Sequence, residues 1–293
     1  MTETRGVTLG FLHDPPDGGR GRARGCETFV AYREAIDVNW SDELSALHQE
    51  SSRDHFIDVA TRRALVDSVA DRLWTDAVVA DLGCSTGYLL KDLAAAAPAA
   101  TLVGVDLVAH GLRQAHREAP TATLLLADLL DLPIVDASID VIVSANVLEH
   151  IADHRRALAE MHRILRPGGR AALVVPGGPG LHDYYDEFLG HERRYGRNEL
   201  ARVARSVGFA AVDDFGVGVL LYPAFWAVKK RNRRKFAHLS AEDRRARVAQ
   251  NIERTRRSKA AEAVQGGETW VRARGLRIRG GIRHCVVVER RRP

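Results

Sequence analysis

The segment Ala77-Val78-Val79-Ala80-Asp81-Leu82-Gly83-Cys84-Ser85-Thr86-Gly87-Tyr88 decides the fold. Its first half is a short apolar run of strand length. Its second half sets glycines at 83 and 87, where backbone turns tightly and approaches a ligand closely, before a helix begins at Tyr88. A helix starting there presents unpaired N–H groups to a carboxylate or phosphate. Many nucleotide-binding folds contain such a loop, so its meaning depends on what surrounds it.

Downstream, short apolar runs alternate with helical stretches. Strands are predicted at 77–82, 101–105, 123–127, 141–145 and 171–175, with helices at 88–96, 109–118 and 153–165. Continuous apolar strands alternating with helices imply a parallel sheet covered on both faces. A helix at 198–207, a strand at 210–215 and a last strand at 282–289 complete the pattern. Upstream, Phe56, Ile57, Ala60, Leu65, Val66, Val69 and Leu73 recur mostly at three- and four-residue spacing, which marks an amphipathic helix within 54–74.

The expected fold class is therefore α/β, with a mostly parallel sheet and helices on both faces. An N-terminal helical extension precedes it and a basic helical insertion interrupts it before the last strand. The expected divisions are a flexible segment 1–28, a helical extension 29–76, a core 77–217, the insertion 218–281 and the last strand with the C-terminus, 282–293. The first of these is rich in Pro, Gly and Arg and has no apolar period.

With 293 residues and 45% apolar content the chain can bury a sizeable core, which excludes a disordered or disulfide-stapled class. Cys26, Cys84 and Cys285 show neither pairing nor zinc-ligand spacing, as in a reducing compartment. No signal-peptide core opens the chain and no apolar run reaches membrane-spanning length, so a cytoplasmic location is expected. The net charge of +5 is unevenly spread: 22 Lys+Arg face 32 Asp+Glu through Val228, against 21 and 6 from Lys229 onward. Any argument for a basic surface belongs to that last fifth.

Two acids sharpen the reading of the loop. In parallel sheets, ligands sit at the carboxyl ends of strands, where strand order reverses. Asp106 closes the second core strand 19 positions after Gly87, the usual place for a carboxylate that grips ribose hydroxyls. Asp128 closes the third, where it can accept from an adenine amino group. Either alone reads equally as a solvated strand end; both in register with the loop point to a nucleoside.

Residues 77–176 resemble class I S-adenosylmethionine-dependent methyltransferases, and the resemblance implies their seven-stranded, Rossmann-like, mostly parallel sheet. Asp81-x-Gly83-x-x-x-Gly87 matches their first motif, with Ser85 where a third glycine often stands. Asp136-Ala137-Ser138-Ile139-Asp140-Val141-Ile142 with Asn146-Val147-Leu148-Glu149-His150-Ile151 resembles their fourth-strand signature, and Leu165-Arg166-Pro167-Gly168-Gly169 the turn before their fifth strand. A dehydrogenase reading fails because no lysine follows a tyrosine by four positions and the loop lacks G-x-G-x-x-G.

The resemblance implies S-adenosylmethionine as cofactor and S-adenosylhomocysteine as product. It places Gly83, Cys84, Ser85 and Gly87 along the methionine part and Asp81 near its amino group. Asp106 and Leu107 fall at ribose and adenine, Asp128 and Leu129 at adenine, and Asn146 on the sulfonium side.

Asp183 to Tyr195, with Gly190-His191-Glu192-Arg193-Arg194-Tyr195 at its end, is similar to the GH-x-RRY block of a ubiquinone-biosynthesis-like (methyltransferase type 11) subgroup, where this segment walls the acceptor pocket. Deprotonating an oxygen or nitrogen acceptor usually falls to a histidine. His191 is the first candidate for that base or for an acceptor-orienting donor, followed by His150 and Tyr185. Alternatively the block ties a lid to Asp183, Asp186 or Glu187. Catechol-methylating relatives hold a metal around Glu-x-x-Glu-His; Asn146 takes the first of those positions here, leaving Glu149 and His150, so no metal is expected. His116, His154 and His162 are expected at the surface of helices.

The insertion opens with an apolar stretch, 215–228, that runs into Lys229-Lys230-Arg231-Asn232-Arg233-Arg234-Lys235. One reading is a pocket wall, with Tyr222, Phe225 and Trp226 facing an apolar acceptor and a solvated basic face behind them. The others are an anionic membrane surface or a nucleic-acid backbone contacted between Lys229 and Arg279, helped by Arg244, Arg245, Arg247, Arg254, Arg256, Arg257, Arg272, Arg274 and Arg277. The expected activity is methyl transfer to an oxygen or nitrogen of a small-molecule acceptor of secondary-metabolite type. The alternatives are an RNA or lipid-linked acceptor recruited by the insertion, or a non-catalytic binding protein that keeps the fold.

Overall fold

Strands that are apolar on both faces need cover on both sides, and the chain provides two separate layers of it. The computed structural model describes Leu12 and residues 28–32, 53–236, 243 and 258–292. Its strands are β1 (Val30–Ala31), β2 (Val78–Leu82), β3 (Thr101–Asp106), β4 (Thr123–Leu126), β5 (Ile139–Ala145), β6 (Leu165–Pro176), β7 (Phe209–Val217) and β8 (Arg283–Arg290). They form one sheet in the order β1-β4-β3-β2-β5-β6-β8-β7. Pairs from β1 through β6 are parallel, and β8 runs antiparallel to both β6 and β7. The sequence predicts seven strands. The eighth is the two-residue edge strand β1, paired with Leu125 and Leu126 of β4, and two residues are too few to show a period.

The helices are α1 (Phe56–Val69), α2 (Tyr88–Ala96), α3 (Ala109–Glu118), α4 (His154–Ile164), α5 (Tyr184–Phe188), α6 (Glu199–Ser206), α7 (Tyr222–Phe236) and α8 (Lys259–Ala273). Alternate strand residues face opposite layers. Val79, Leu102 and Val143 pack with Leu65 of α1, Leu90 of α2 and Leu112 of α3. Ala80, Val103 and Ile142 pack with Leu158 and Met161 of α4 and Leu200 of α6. The five-residue α5 shows no period in the sequence and is not predicted there. Asp183 caps it, accepting from Tyr185 N at 3.1 Å, and Asp186 reaches back to Asp183 N at 3.1 Å.

The divisions expected at 1–28 and within the insertion fall largely on positions outside the described residues. So do Cys26 and Arg244, Arg245, Arg247, Arg254, Arg256 and Arg257. The described part of the insertion is tied to the sheet. Glu268 of α8 accepts from Gly218 N and Leu220 N at 2.9 and 3.1 Å, and Arg277 pairs with Asp213 at 2.8 Å. Arg272 is buried, which withdraws it from the basic surface expected of it. His154 and His162 are half-buried rather than at the surface. His154 Nδ1 lies 2.6 Å from the Tyr195 hydroxyl, and His162 meets the Phe209 ring edge-on.

The connection between β4 and β5 has little regular structure, and Arg163 makes several of the bonds that hold it. Arg163 donates to the carbonyls of Ile134 and Leu132 at 2.7 and 2.9 Å and pairs with Asp136 and Glu160, both at 2.7 Å. Replacing it leaves part-buried carbonyls unpaired, which costs about 1–3 kcal/mol. The Arg163→Ala variant is accordingly expected to lower the unfolding free energy by about that amount in a urea titration. A change inside the scatter of the extrapolation would contradict this role.

Candidate active site

Strand order reverses beside β2: β3 lies on one side and β5 on the other. Their carboxyl ends open a crevice, the place where parallel sheets bind ligands. The β2–α2 loop enters it in a conformation that only glycine tolerates well. Gly83 and Gly87 have φ of +82° and +80°, and a Cβ at Gly83 would lie 2.2 Å from Val147 Cγ2. The loop is laced to the end of β3: Gly83 N and Cys84 N donate to Val105 O at 2.8 and 3.0 Å, and Ser85 N donates to Asp106 Oδ2 at 2.8 Å. Val108 N donates to the other Asp106 oxygen at 2.9 Å. Burial pushes the Asp106 carboxyl up, against these N–H groups, which pull it down.

A cavity of about 340 Å³ results, within the range of small-ligand sites. Of the expected cofactor residues, Gly83, Ser85, Asp106, Leu107, Asp128, Leu129 and Asn146 line it. Asp81, Cys84 and Gly87 do not. Asp81 is 1% exposed beneath the loop; burial and the neighbouring Asp106 raise its carboxyl well above the ordinary range. The Cys84 side chain turns into the layer beneath α1–α3, and Gly87 serves helix packing, since a Cβ there would lie 2.6 Å from Ala115 Cα. Val108, Gly111, Leu130 and Ile151 also line the cavity and carry no sequence signal beyond being apolar or small.

At the far end stands His150, in the 3-10 turn Leu148–His150. The His191 ring meets it edge-on, with centroids 4.7 Å apart. Glu149 is fully buried beside them, its carboxyl pushed up to about 8 by burial. His191 Nδ1 lies 2.9 Å from Asp186 Oδ1, and Asp186 also accepts from Arg194 Nε at 2.7 Å and Lys229 Nζ at 2.9 Å. Burial alone would raise the Asp186 carboxyl, but its three cationic or donating partners hold it well below the usual range. Burial lowers the His191 imidazole despite Asp186. A neutral ring facing a carboxylate donates Nδ1–H to it, which leaves a lone pair at Nε2.

Of the three catalytic candidates, His191 and His150 converge. Tyr185 is not in the cavity wall; its ring lies 5.2 Å from Lys229 Nζ and burial raises its phenol. The rest of the GH-x-RRY block acts as a tie. Arg193 donates to the carbonyls of Ile151 and Ala152, and Tyr195 to that of Leu148. Nor do the three insertion aromatics line the cavity. Trp226 is 43% exposed beneath Lys230, and Phe225 packs near Arg194 and Lys229. The part played by Lys229 is invisible in a run of basic residues: it is buried, bridging Asp183 at 2.6 Å and Asp186.

The family model described as a methyltransferase domain matches residues 80–173. Residues 80–173 are a methyltransferase domain. A 37.1 kDa protein in transposon Tn4556 of Streptomyces fradiae is 35% identical over 187 residues, covering 58% of this chain and 52% of that protein. The demethylmenaquinone methyltransferase of Thermus thermophilus is 35% identical over 121 residues, 40% of this chain and 54% of its own. The chain thus spans about half the length of these curated relatives. Phosphoethanolamine N-methyltransferase 2 of Haemonchus contortus, solved in complex with S-adenosyl-L-methionine, superposes with a TM-score of 0.58 at 16% identity, covering 87% of this chain and 59% of that one. At that identity the likeness is one of fold.

The methyltransferase domain supplies the cavity as far as Ala152, whereas Asp186, His191, Arg194 and Lys229 lie beyond the matched residues. Removing the shared carboxylate leaves the buried Arg194 with no carboxylate partner and Lys229 with Asp183 alone, a change that costs about 3–5 kcal/mol. The Asp186→Ala variant should lose stability on that scale by denaturant titration; a loss below about 1 kcal/mol would show that Arg194 and Lys229 do not depend on it.

Proposed function

We propose that the protein is an S-adenosylmethionine-dependent methyltransferase that methylates an oxygen or nitrogen of a small molecule. The observation that carries this reading is the pairing of Asp106 and Asp128, at the ends of consecutive parallel strands, on one cavity that His150 also lines, with the His191 ring edge-on behind it. Apolar walls from Leu107, Leu129 and Leu130 beside those carboxylates suit a nucleoside, whose hydroxyls and amino group need acceptors and whose base needs flat apolar contact.

Asp106 would hold the ribose, Asp128 and Leu129 the adenine, Gly83 and Ser85 the methionine part, and Asn146 the sulfonium side. Bound there, the cofactor supplies an electrophilic methyl group open to in-line displacement. The protein's task is to position the reactants and exclude water. His191 readies the acceptor through the Nε2 lone pair that Asp186 preserves, and His150 shapes the passage between cofactor and acceptor.

An RNA or lipid-linked acceptor recruited by the basic segment is the second reading. Lys230 against Trp226 and Arg274 3.3 Å above the exposed Trp270 ring support it. Against it, Lys229 and Arg272 are buried and Arg277 is paired. No described helix is long and apolar enough to cross a membrane.

Calorimetry with S-adenosylmethionine tests the cofactor assignment. Wild type should bind and Asp106→Ala should bind at least about tenfold more weakly, one charge-assisted contact's worth; equal affinities would refute it. For the acceptor side, the readout is release of S-adenosylhomocysteine with a panel of phenol, carboxylate and amine acceptors. His191→Ala should reduce it about 100-fold or more at unchanged cofactor affinity. Full turnover in that variant would remove His191 from the mechanism.

A further inference from the structure

We propose that Glu149, His150 and His191 form a binding site for one divalent transition-metal ion at the acceptor end of the cavity. Each residue offers a ligand atom, and these atoms all lie within 4.8 Å of one another. Tetrahedral ligands at metal–donor distances of about 2.1 Å stand roughly 3.4 Å apart, so side-chain shifts of about 1 Å or less close the site.

The second observation is independent of that geometry. Both oxygens of the Glu149 carboxyl are buried and have no hydrogen-bond partner among the described residues. A fold that encloses an acid fully and offers it no donor leaves both of its oxygens unsatisfied, and a cation between Glu149 and the two imidazoles satisfies them.

The third observation concerns His191. Its Nδ1 is engaged by Asp186 at 2.9 Å, and Asp186 is itself fixed by Arg194 and Lys229. A carboxylate behind an imidazole fixes the tautomer and strengthens the other nitrogen as a ligand. Arg194 and Lys229 do not oppose the ion with a bare positive charge, because Asp183 and Asp186 accept from them.

Two nitrogens and one carboxylate favour zinc, iron, cobalt or nickel over magnesium or calcium. Three protein ligands with a free position is the pattern of sites that handle a substrate. His150 lines the cavity, so that position faces the acceptor and suits one bearing a hydroxyl. The expectation of no metal rests on Asn146 and on donors adjacent in sequence. The third donor comes instead from beyond β6, where spacing gives no hint of it.

The ion's catalytic use rests on the methyl-transfer reading; its binding does not. The test uses the full chain, stripped with a chelator and titrated with zinc chloride in a calorimeter without cofactor or acceptor, with elemental analysis after dialysis. One zinc per chain is expected. His191→Ala, His150→Ala and Glu149→Gln should each weaken binding at least about tenfold, while His116→Ala should leave it unchanged.

Cobalt(II) in place of zinc gives a visible absorption band that reports imidazole ligation, and His191→Ala should alter it. Circular dichroism shows which variants are folded, and His191→Ala and His150→Ala carry the test if Glu149→Gln is not. No zinc above background, or zinc binding indifferent to the folded histidine variants, would overturn the proposal. Loss of S-adenosylmethionine binding with zinc retained would instead count against the methyl-transfer reading alone.

Discussion

Asp186 is a fully buried carboxylate whose environment contains three side chains that can donate to it, and the segment beyond β6 is arranged around that fact. An ionised acid without water must be paired on every side, and His191 and Arg194 of the stretch after α5 and Lys229 of α7 do this from two different segments. Because Lys229 comes from α7, the insertion is fastened to α5 by an ion pair in the interior. Because Asp186 also completes the cap of α5, the same carboxylate sets where that helix begins. The orientation of His191 is a consequence of these constraints.

On the cofactor side Asp106 plays a comparable part. Its two oxygens accept from Ser85 N and Val108 N, so one carboxylate joins the β2–α2 loop to the segment after β3 and holds both mouths of the cavity. The two halves meet at the turn Leu148–His150. There Tyr195 bonds the Leu148 carbonyl and Glu192 N donates to the Glu149 carbonyl at 2.8 Å. The methyltransferase domain and the segment beyond it are thus joined through backbone, and the distance between cavity and His191 is set by these bonds.

The central sheet was legible because its strands are apolar on both faces and its loop glycines are required by positive φ at 83 and 87; both leave a mark on residue type. Asp106, Asp128 and Asn146 were legible as residues that close strands. Cys84 and Gly87 are not among the residues that line the cavity, because a motif gives only adjacency in sequence: the Cys84 side chain packs in the core and the Gly87 backbone lies against Ala115. The two-residue β1 and five-residue α5 are too short to carry a period. The pairing of Glu149 and His150 with His191, and of Asp186 with Lys229, joins residues far apart in the chain, and only the fold brings them together. The net charge was misleading in detail, since Lys229 and Arg272 are interior residues.

The account turns on the claim that one continuous cavity holds the cofactor at the strand ends and delivers the acceptor to the histidines. A crystal structure of the protein with S-adenosylhomocysteine tests this most directly. The account predicts ribose against Asp106, adenine between Leu107 and Leu129 near Asp128, and the sulfur turned toward Asn146 with open space leading to His150 and His191. A ligand bound elsewhere, or one whose sulfur faces away from these histidines, would contradict it.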